Sequence, residues 1–499
     1  MDQEVAGSTP VPGAILCKEE KAMKIVSPKI LKGFRDFLPG EMLAREKIIS
    51  VIKEVYESYG FVPLSTPALE YKEILLGYGE EASKQIYLFK EPEGSEVGLR
   101  FDLTVPLSRV IAQYKELTRP FKRYQIQPVW RYDKPDPGRF REFIQFDIDT
   151  VGTESMVADT EIISAMYDCL IKLGLGFRIR FSNMKILNSL VTFANIEPSM
   201  AHAVFRVIDK LEKQGLENVK LELGPGRVDA SSVEIGGLGL NETQISKIED
   251  FLRLPHQIRS ETVNLLKNLF KNIQGAEEGI NELKEINEYL NVLEILDDKA
   301  IIDLSIARGL DYYTGPVFEA ILTDEQVIGF GSVMGGGRFD QLIERFAGER
   351  IPATGVSIGV DRLFSAMQKL GMIDARPSTA DVLVTVIMRN KILEYQKIAH
   401  KLRLAGIKTE LYMGTETSIS TQLKYADYQA IPLAVIVGSD EFAKNQVSIK
   451  DLRVIKAEKI EITDRETWIK TRIGQKTVSY SNFIEEIKSL LSRKLNKEE

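Results

Sequence analysis

The feature that most constrains the fold is a pair of strand-length stretches, "RYQIQPVWRYD" and "FREFIQFDID", joined by "KPDPGR". The joining segment is rich in Pro, Asp and Gly, which favour turns. Because side chains alternate between the two faces of a strand, the apolar residues of the second stretch share one face: Ile144, Phe146 and Ile148. The polar residues share the opposite face: Arg141, Gln145, Asp147 and Asp149. The sequence therefore predicts an antiparallel hairpin with one packed face and one polar face.

The polar face of this hairpin has two interpretations. A solvated sheet face is the ordinary outcome, but such a face usually carries Lys, Glu and Thr. In the first stretch, Ile126 and Trp130 share the apolar face, whereas the polar face carries Gln125, Gln127 and Arg131. Amides, carboxylates and guanidinium groups together can bind a small zwitterion from several sides. The composition of this face favours a binding site.

Length and apolar content indicate a large globular chain without a membrane span. With 499 residues and 44% hydrophobic content, the chain is expected to form two to four domains. Its longest apolar stretches, such as "DVLVTVIM" and "IPLAVIVG", are far shorter than the roughly 20 residues of a spanning helix. The first residues resemble neither a secretory signal nor a transit peptide, so we expect a flexible tail over 1–27 and a cytoplasmic location.

Cysteine, histidine and charge content limit the partners. Two cysteines, Cys17 and Cys169, and three dispersed histidines make a disulfide framework or a protein-bound metal improbable. The net charge is −7, yet residues 381–499 hold 20 Lys and Arg against 16 Asp and Glu. This basic balance suits a local phosphate contact, although on charge alone an ordinary solvated surface is the better explanation.

Hydrophobic periodicity divides the chain. Residues 42–56 predict a helix that ends at Gly60, and Pro63 and Pro67 in the following strand indicate an edge or an interface. From 196 to 300 the pattern is helical throughout. Two apolar stripes support that prediction: Val263, Leu266, Phe270 and Ile273, and then Ile286, Leu290, Leu293 and Leu296. After a linker at 371–380, strands alternate with helices, which predicts a small α/β domain.

Three further segments carry candidate binding residues. "LRFDLTVP" predicts a strand in which Asp102 and Thr104 share one face. "GVSIGVDRLFSAM" predicts a strand followed by a helix, with Arg362 at the helix start, where the backbone dipole favours phosphate. "GSVMGGGRFDQL" supplies glycines that allow close backbone approach to a ligand. The chain holds neither a Walker A sequence nor a dinucleotide-binding fingerprint, so a nucleotide would require another architecture.

Six motifs in order resemble those of histidyl-tRNA synthetases: "GFRDFLPGEM", "LRFDLTVPLSR", "VWRYDKPDPGRFREFIQFDID", "RGLDYYTGPVFEA", "GGGRFDQL" and "GVSIGVDRL". The resemblance covers roughly residues 28–455, and the "FDID" and "LRFDLT" segments look closer to the eukaryotic and archaeal branch. It implies an α+β fold, with a class II antiparallel sheet, flanking helices, a helical insertion and a C-terminal α/β anticodon-binding domain. It also implies a homodimer formed largely through residues 43–69.

The implied domains follow the pattern changes already described. They are a catalytic domain at 28–195 and 301–371, an insertion at 196–300 near the tRNA acceptor arm, an anticodon-binding domain at 380–455, and an extension at 456–499. The implied reaction joins histidine to ATP, giving histidyl-adenylate and pyrophosphate. The histidyl group then passes to the 3′-terminal ribose of histidine tRNA.

The resemblance also implies roles for individual residues. Asp102 and Thr104 suit the histidine ammonium, and Gln145 bridges other polar atoms of the amino acid. Asp149 accepts an imidazole N–H, while Tyr312 or Tyr313 meets the other ring nitrogen and flanks the ring. Arg308 would stabilise the charge that develops at the ATP α-phosphate. The remaining phosphate contacts would come from Arg131 on the α-phosphate and Arg362 on the γ-phosphate, with Mg²⁺ carried by ATP and no protein metal site.

An alternative hypothesis is a non-catalytic relative that senses histidine or uncharged tRNA, since a fold alone does not establish activity. A histidine sensor is expected to lack the C-terminal α/β domain, which this sequence has. A tRNA sensor would tolerate loss of five residues that are all retained here: Arg131, Asp149, Arg308, Tyr312 and Arg362. Two positions depart from the family pattern. Phe339 stands where tyrosine is usual, and "WRYDKP" leaves Asp133 as the nearest adenine-facing carboxylate.

Overall fold

The computed structural model describes residues 26–76, 83–134, 138–228, 232–307, 312–454 and 474–493. Nearly all of the predicted N-terminal tail lies outside these ranges, as do Cys17, Arg308 and the segment 455–473. Within the described residues, no helix is long and apolar enough to cross a membrane.

The helices and strands of the described residues are numbered in chain order. The helices are α1 Pro39–Ser58, α2 Lys72–Leu75, α3 Thr104–Gln113, α4 Met156–Lys172, α5 Met184–Phe193, α6 Ala201–Ile208, α7 Leu211–Gln214, α8 Leu216–Leu223, α9 Glu242–Leu252, α10 Arg259–Leu269, α11 Ala276–Val292, α12 Glu344–Ala347, α13 Val360–Lys369, α14 Ile392–Leu404, α15 Ile419–Tyr428, α16 Ser439–Lys444 and α17 Phe483–Ser492. The strands are β1 Val62–Pro63, β2 Leu69–Tyr71, β3 Leu88–Lys90, β4 Glu96–Leu99, β5 Phe121–Trp130, β6 Glu142–Val151, β7 Phe177–Asn183, β8 Gly226–Val228, β9 Glu234–Gly236, β10 Ala300–Ile302, β11 Pro316–Leu322, β12 Ser332–Arg338, β13 Ala353–Gly359, β14 Val382–Val384, β15 Thr409–Leu411, β16 Leu433–Ile436, β17 Gln446–Asp451 and β18 Gln475–Ser479.

An eight-stranded sheet, in the order β1-β5-β6-β13-β12-β11-β7-β10, forms the centre of the first 370 residues. The predicted hairpin is confirmed: β5 and β6 pair antiparallel, with Arg123 opposite Asp149 and Gln125 opposite Asp147. The next strand, β13, pairs antiparallel with β6 and places Gly355 beside Asp149. Pairing through the middle of the sheet is antiparallel, and only the outermost strands β1 and β10 pair in parallel. This register fixes the row of polar residues on β6 between two neighbouring strands.

Helices α1, α4 and α13 cover the apolar face of this sheet. Ile48, Ile52 and Val55 of α1 are buried at helical spacing, as the sequence predicts. Tyr56 meets Phe146 edge to face, with ring centroids 5.0 Å apart. The chain then turns at Gly60, where φ is +80°, and enters the edge strand β1, as Pro63 indicates; Pro67, predicted in the same strand, lies after β1 has ended.

The segment from 196 to 300 is mainly helical, but it is not helical throughout. Strands β8 and β9 form a short antiparallel hairpin, which the helical prediction missed. Gly226 adopts φ of +97°, and an added Cβ would lie 2.5 Å from the Ile235 carbonyl, so glycine permits this close turn. The first apolar stripe is buried at Val263 and Leu266. In the second stripe, Leu293 and Leu296 are not buried. They are 53% and 67% exposed, because α11 ends at Val292.

A separate five-stranded sheet, in the order β15-β14-β16-β17-β18, forms the C-terminal region. Its first three strands pair in parallel and the last two pairings are antiparallel, which confirms a mixed α/β unit. Strand β18 and helix α17 come from the segment that the sequence assigned to an extension after residue 455. Phe483 and Ile487 of α17 are buried in the apolar core of this sheet. The described residues 474–493 therefore complete the C-terminal core.

Candidate active site

A cavity of about 380 Å³ lies over the polar face of the eight-stranded sheet. It brings together every predicted site residue that the structure describes: Asp102, Thr104, Arg131, Gln145, Asp149, Tyr312, Tyr313 and Arg362. Arg308 lies outside the described residues. Of the predicted polar face, Arg131, Gln145, Asp147 and Asp149 line this cavity and Gln125 is fully buried, so the solvated-face interpretation is wrong for these residues.

Asp102 and Thr104 reach the cavity from the start of a helix, so the predicted strand in "LRFDLTVP" is wrong. Leu103 has φ of −108° and ψ of −6°, and α3 begins at Thr104. The Asp102 carboxylate accepts the backbone N–H of Val105 at 3.0 Å and so caps the helix. The propensity of Asp to cap helices outweighed a short alternating pattern. Burial raises the pKa of Asp102, while the Val105 N–H and the Arg131 charge oppose that rise.

Strand β6 presents Gln145, Asp147 and Asp149 in a row along the cavity. The Gln145 amide donates to the Ser357 hydroxyl at 2.5 Å. Burial raises the pKa of Asp149 to about 6 and that of Asp147 to about 7, and the Arg123 charge partly offsets both rises. The carboxyl nearest the arginine therefore loses its proton at lower pH than its neighbour.

Arg123 is the functional residue that sequence reasoning missed. Its side chain is fully buried, and Nη2 lies 2.7 Å from Asp149 Oδ2. The guanidinium also donates to Gln125 Oε1 at 3.2 Å and to the Leu103 carbonyl at 3.2 Å. The strand period could have found it, because Arg123 shares its face with Gln125, which the alternation had already assigned to the polar side. Arg123 fixes the position and ionisation of Asp149 from the neighbouring strand.

Two glycines let the sheet accommodate this polar row. A Cβ added at Gly355 would lie 2.1 Å from Asp149 Oδ1, so any side chain there would displace the carboxylate. A Cβ added at Gly336 of the "GGG" segment would meet the Gly355 carbonyl at 2.0 Å. By contrast, the nearest atom to a Cβ at Gly335 lies 3.8 Å away. Backbone contact explains Gly336, and the predicted close approach to a ligand fits Gly335.

Tyr312 and Tyr313 form a paired aromatic wall. Their ring centroids are 4.4 Å apart, and the Tyr312 hydroxyl donates to that of Tyr313 at 3.4 Å. Burial is the main cause that raises the pKa of Tyr312 to about 12, and it also raises that of Tyr313. Both phenols are therefore neutral at physiological pH and can donate hydrogen bonds.

Two arginines, Arg131 and Arg362, line the cavity. Arg131 follows β5; its guanidinium lies 4.4 Å from the Phe101 ring centroid, and Nε donates to the Phe101 carbonyl at 3.0 Å. Arg362 lies in the first turn of α13 and donates to the Ser332 carbonyl at 2.7 Å. Asp361 secures that turn, since it accepts the Ile144 N–H at 2.7 Å and pairs with Arg45 at 2.6 Å.

The two departures from the family pattern have different surroundings. Phe339 is 2% exposed and belongs to an apolar cluster with Leu107 and Ile343, so its ring is placed by packing. Asp133 lines the cavity, and its carboxylate lies 3.9 Å from the Arg139 guanidinium. A carboxylate therefore stands at the cavity edge despite the altered motif.

The sheet, its flanking helices and the arginine-lined cavity define a class II aminoacyl-tRNA synthetase. Family models match the chain at 33–363, described as histidyl-tRNA synthetase, and at 381–490, described as anticodon binding domain. The chain belongs to the histidyl-tRNA synthetase family. Its activity is that of a histidine–tRNA ligase, and such an activity implies the use of ATP.

Curated relatives and solved structures agree with this assignment. A histidine–tRNA ligase of Dinoroseobacter shibae is 41% identical over 93% of this chain and 97% of its own length. Another, from Jannaschia sp., is 39% identical over 95% of this chain and 99% of its own. The crystal structure of histidyl-tRNA synthetase from Nostoc sp. matches with a TM-score of 0.78 and 32% identity, covering 93% of this chain and 100% of that one. These curated relatives are alphaproteobacterial, so the closer resemblance to the eukaryotic and archaeal branch is not supported.

Proposed function

We propose that the cavity binds histidine and ATP together, so that the histidine carboxylate attacks the α-phosphate and forms histidyl-adenylate and pyrophosphate. The histidyl group then passes to the 3′-terminal ribose of histidine tRNA. The observation that carries this proposal is the convergence of buried carboxyls and arginines on one cavity. The carboxyls can bind the ammonium and ring N–H of histidine, and the arginines can bind the triphosphate of ATP.

Histidine occupies the end of the cavity that the β6 row lines. Asp102 and Thr104 bind its ammonium, since a carboxylate and a hydroxyl are natural acceptors for that group. Gln145 contacts the other polar atoms of the amino acid, and Asp149 accepts an imidazole N–H. Tyr312 and Tyr313 flank the ring. Buried polar groups of this kind reject an amino acid without ring nitrogens by about 10⁴- to 10⁵-fold, because the groups would be left unpaired.

ATP occupies the end of the cavity that the arginines line. Arg131 binds the α-phosphate and Arg362 the γ-phosphate, where the start of α13 adds a favourable dipole. Arg308 stabilises the charge that builds up during attack on the α-phosphate. Mg²⁺ enters with ATP on the outer phosphates. Catalysis therefore depends on positioning and electrostatics, with no side chain needed as a general base.

The remaining regions serve tRNA and assembly in the cytoplasm. We divide the chain into a tail at 1–27, a catalytic domain at 28–195 and 301–371, an insertion at 196–300 near the acceptor arm, and an anticodon-binding domain that starts at 380. This last domain includes β18 and α17, which belong to the segment 456–499 that the sequence assigned to an extension. A second copy covers the region 43–69. Support comes from Val62 and Leu69, which are 48% and 42% exposed, and from an adjoining groove of about 750 Å³ beside α3.

The test is histidine-dependent ATP–pyrophosphate exchange by the purified protein and by Arg131→Ala and Arg308→Ala. We expect exchange with histidine alone among the amino acids, and a loss of about 10²- to 10³-fold in each variant, while histidine binding persists. Arg253→Ala is the matched control, since its side chain is 60% exposed, directly after the end of α9 and outside the cavity. Histidine binding without exchange by the unmodified protein would instead support a sensor.

A further inference from the structure

Asp147 is a buried carboxyl that the proposed function leaves without a role. It lies between Gln145 and Asp149 on the same face of β6, is 2% exposed, and lines the cavity. Its Oδ1 atom has no hydrogen-bond partner among the residues that the structure describes. A buried polar atom without a partner is costly, so its retention in a substrate cavity points to a ligand.

The surroundings of Asp147 contain more acid than base. The titratable and polar groups that face it are Arg123 from β5, Asp149 from its own strand, Asp102 from the start of α3, Tyr56 from α1, Ser357 from β13, and the pair Tyr312 and Tyr313. Arg123 pairs with Asp149 at 2.7 Å, so its charge is already engaged. Two neighbouring buried carboxyls that share one guanidinium favour a state in which one of them keeps its proton.

The position of Arg123 decides which carboxyl keeps the proton, because its guanidinium lies 2.7 Å from Asp149 Oδ2 and so favours the ionised form of Asp149. Burial is the main cause that raises the pKa of Asp147 to about 7, and the charges of Asp149 and Asp102 raise it further. The pKa of Asp149 rises only to about 6. The proton therefore resides preferentially on Asp147, which can then act as a hydrogen-bond donor.

A neutral imidazole presents one N–H and one bare nitrogen, so it needs one acceptor and one donor. Resting on the proposed function of this cavity, we propose that Asp147 binds the substrate ring as a neutral carboxyl that donates its proton to the bare nitrogen, while ionised Asp149 accepts the ring N–H. Tyr312 and Tyr313 then flank the ring and need not bind either nitrogen. An imidazolium with two N–H groups would face a donor and be disfavoured.

Calorimetry of histidine binding to the unmodified protein tests this directly. At pH 8 a carboxyl with a pKa of about 7 is mostly ionised in the free protein, so formation of the complex must take up a proton. Titrations in phosphate and in Tris, which differ in ionisation enthalpy, should show uptake of about one proton per histidine. Asp147→Asn should abolish this uptake, because the amide donates without titrating.

The pH dependence of the dissociation constant gives a second measurement. Between pH 7 and pH 8.5, the dissociation constant of the unmodified protein should rise about 15-fold in total relative to that of Asp147→Asn, because a carboxyl with a pKa of about 7 must regain its proton to bind. At pH 6.5 the two should agree within about threefold, because both then present a donor. Asp250→Asn, an exposed change on α9, is the matched control and should follow the unmodified protein.

Two results would overturn the assignment of Asp147. One is histidine binding at pH 8 with no proton uptake. The other is an Asp147→Asn variant that binds more than tenfold more weakly at pH 6.5 and keeps the alkaline loss, which would mark an ionised carboxylate as the binding form. In both cases the unmodified protein still exchanges pyrophosphate with histidine, so the proposed function would stand. Absence of histidine binding and exchange in the unmodified protein would remove both proposals.

Discussion

The two sheets of this protein bury their side chains by different rules. The eight-stranded sheet holds six charged residues that are at most 7% exposed: Arg123, Asp147, Asp149, Arg180, Glu319 and Arg338. Strands β14 and β16, at the centre of the C-terminal sheet, consist only of buried apolar residues: Val382, Leu383, Val384, Leu433, Ala434, Val435 and Ile436. By the same measure, the described residues of the whole C-terminal sheet include two charged ones, Lys450 and Asp451 of β17, so buried charge is more abundant in the sheet that carries the active site.

This difference suggests that the C-terminal sheet contributes mainly to the stability of its region, whereas the buried charges of the eight-stranded sheet contribute mainly to the active site. A buried ion pair contributes little net stability, because desolvation offsets much of the attraction, whereas an apolar core contributes stability directly. The C-terminal sheet is therefore held together mainly by packing. The eight-stranded sheet accepts the cost of buried charge where Arg123 and Asp149 define the histidine end of the cavity. The comparison predicts that substitution of a buried charged residue of the eight-stranded sheet reduces activity. Substitution of an equally buried residue of the C-terminal sheet should instead reduce mainly the free energy of unfolding.

Arg123→Met should have the largest effect. Without the guanidinium, Asp149 and Asp147 lose the cation that favours their ionised forms, and breaking such a buried pair costs about 3–5 kcal/mol of unfolding free energy. Histidine-dependent exchange should fall at least about 10²-fold, because a small displacement of a positioned group costs that much. The Michaelis constant for histidine should rise far more than that for ATP, which a steady-state exchange assay measures.

The free energy of unfolding of Arg123→Met should also depend on pH, and the direction of this dependence follows from the carboxyl groups. In Arg123→Met the folded protein keeps protons on carboxyls that the unfolded chain releases near pH 4. Since the folded state then binds more protons, stability falls as pH rises from about 4 towards 8. Denaturant unfolding at pH 5 and pH 8 checks this slope. Arg259→Met, at an arginine 1% exposed in the insertion, should destabilise without raising the Michaelis constant for histidine; an equal rise there would break the comparison.

Leu433→Ala should show the opposite division of effects. Leu433 is fully buried in the C-terminal core, and truncation of such a leucine costs about 2–5 kcal/mol. Its core contacts do not include the cavity residues, so pyrophosphate exchange at 25 °C should stay within about twofold of the unmodified protein. Scanning calorimetry should show a lowered first transition. A parallel fall of exchange would mean that the two regions do not act independently.

The sequence predicted the elements of this fold where local and tertiary preferences agree. Alternation over ten residues gave the β5–β6 hairpin, and helical spacing gave α1 with its buried face. The prediction from sequence failed where one or two residues determine the local secondary structure. Asp102 caps a helix in a stretch that also alternates, and the β8–β9 hairpin depends on the backbone freedom of Gly226. Leu293 and Leu296 continue a periodic pattern after the helix that would bury them has ended.

The family motifs predicted the described site residues, whereas physical reasoning from the sequence predicted only part of their surroundings. The eight described candidate residues do share one cavity. Alternation alone places Arg123 on the polar face, but its pairing with Asp149 depends on strand register, which the sequence does not reveal. The lack of a partner for Asp147 Oδ1 could not be predicted from the sequence either, since it depends on which groups the fold brings around that atom. Gly355 shows the same limit, because only the packed sheet reveals how little space lies beside Asp149.

Tyr395→Phe should have the smallest effect and completes the comparison. The Tyr395 hydroxyl donates to the Val437 carbonyl at 2.6 Å inside the C-terminal core, so this region also contains a buried polar group. Its function there is a neutral hydrogen bond, and removal should cost about 0.5–1.5 kcal/mol in denaturant unfolding. Neither exchange nor its pH profile should change. A change in exchange or in its pH profile would mean that polar groups of the C-terminal sheet also influence the reaction. A change in the free energy of unfolding alone would mean that only the buried polar groups of the eight-stranded sheet do so.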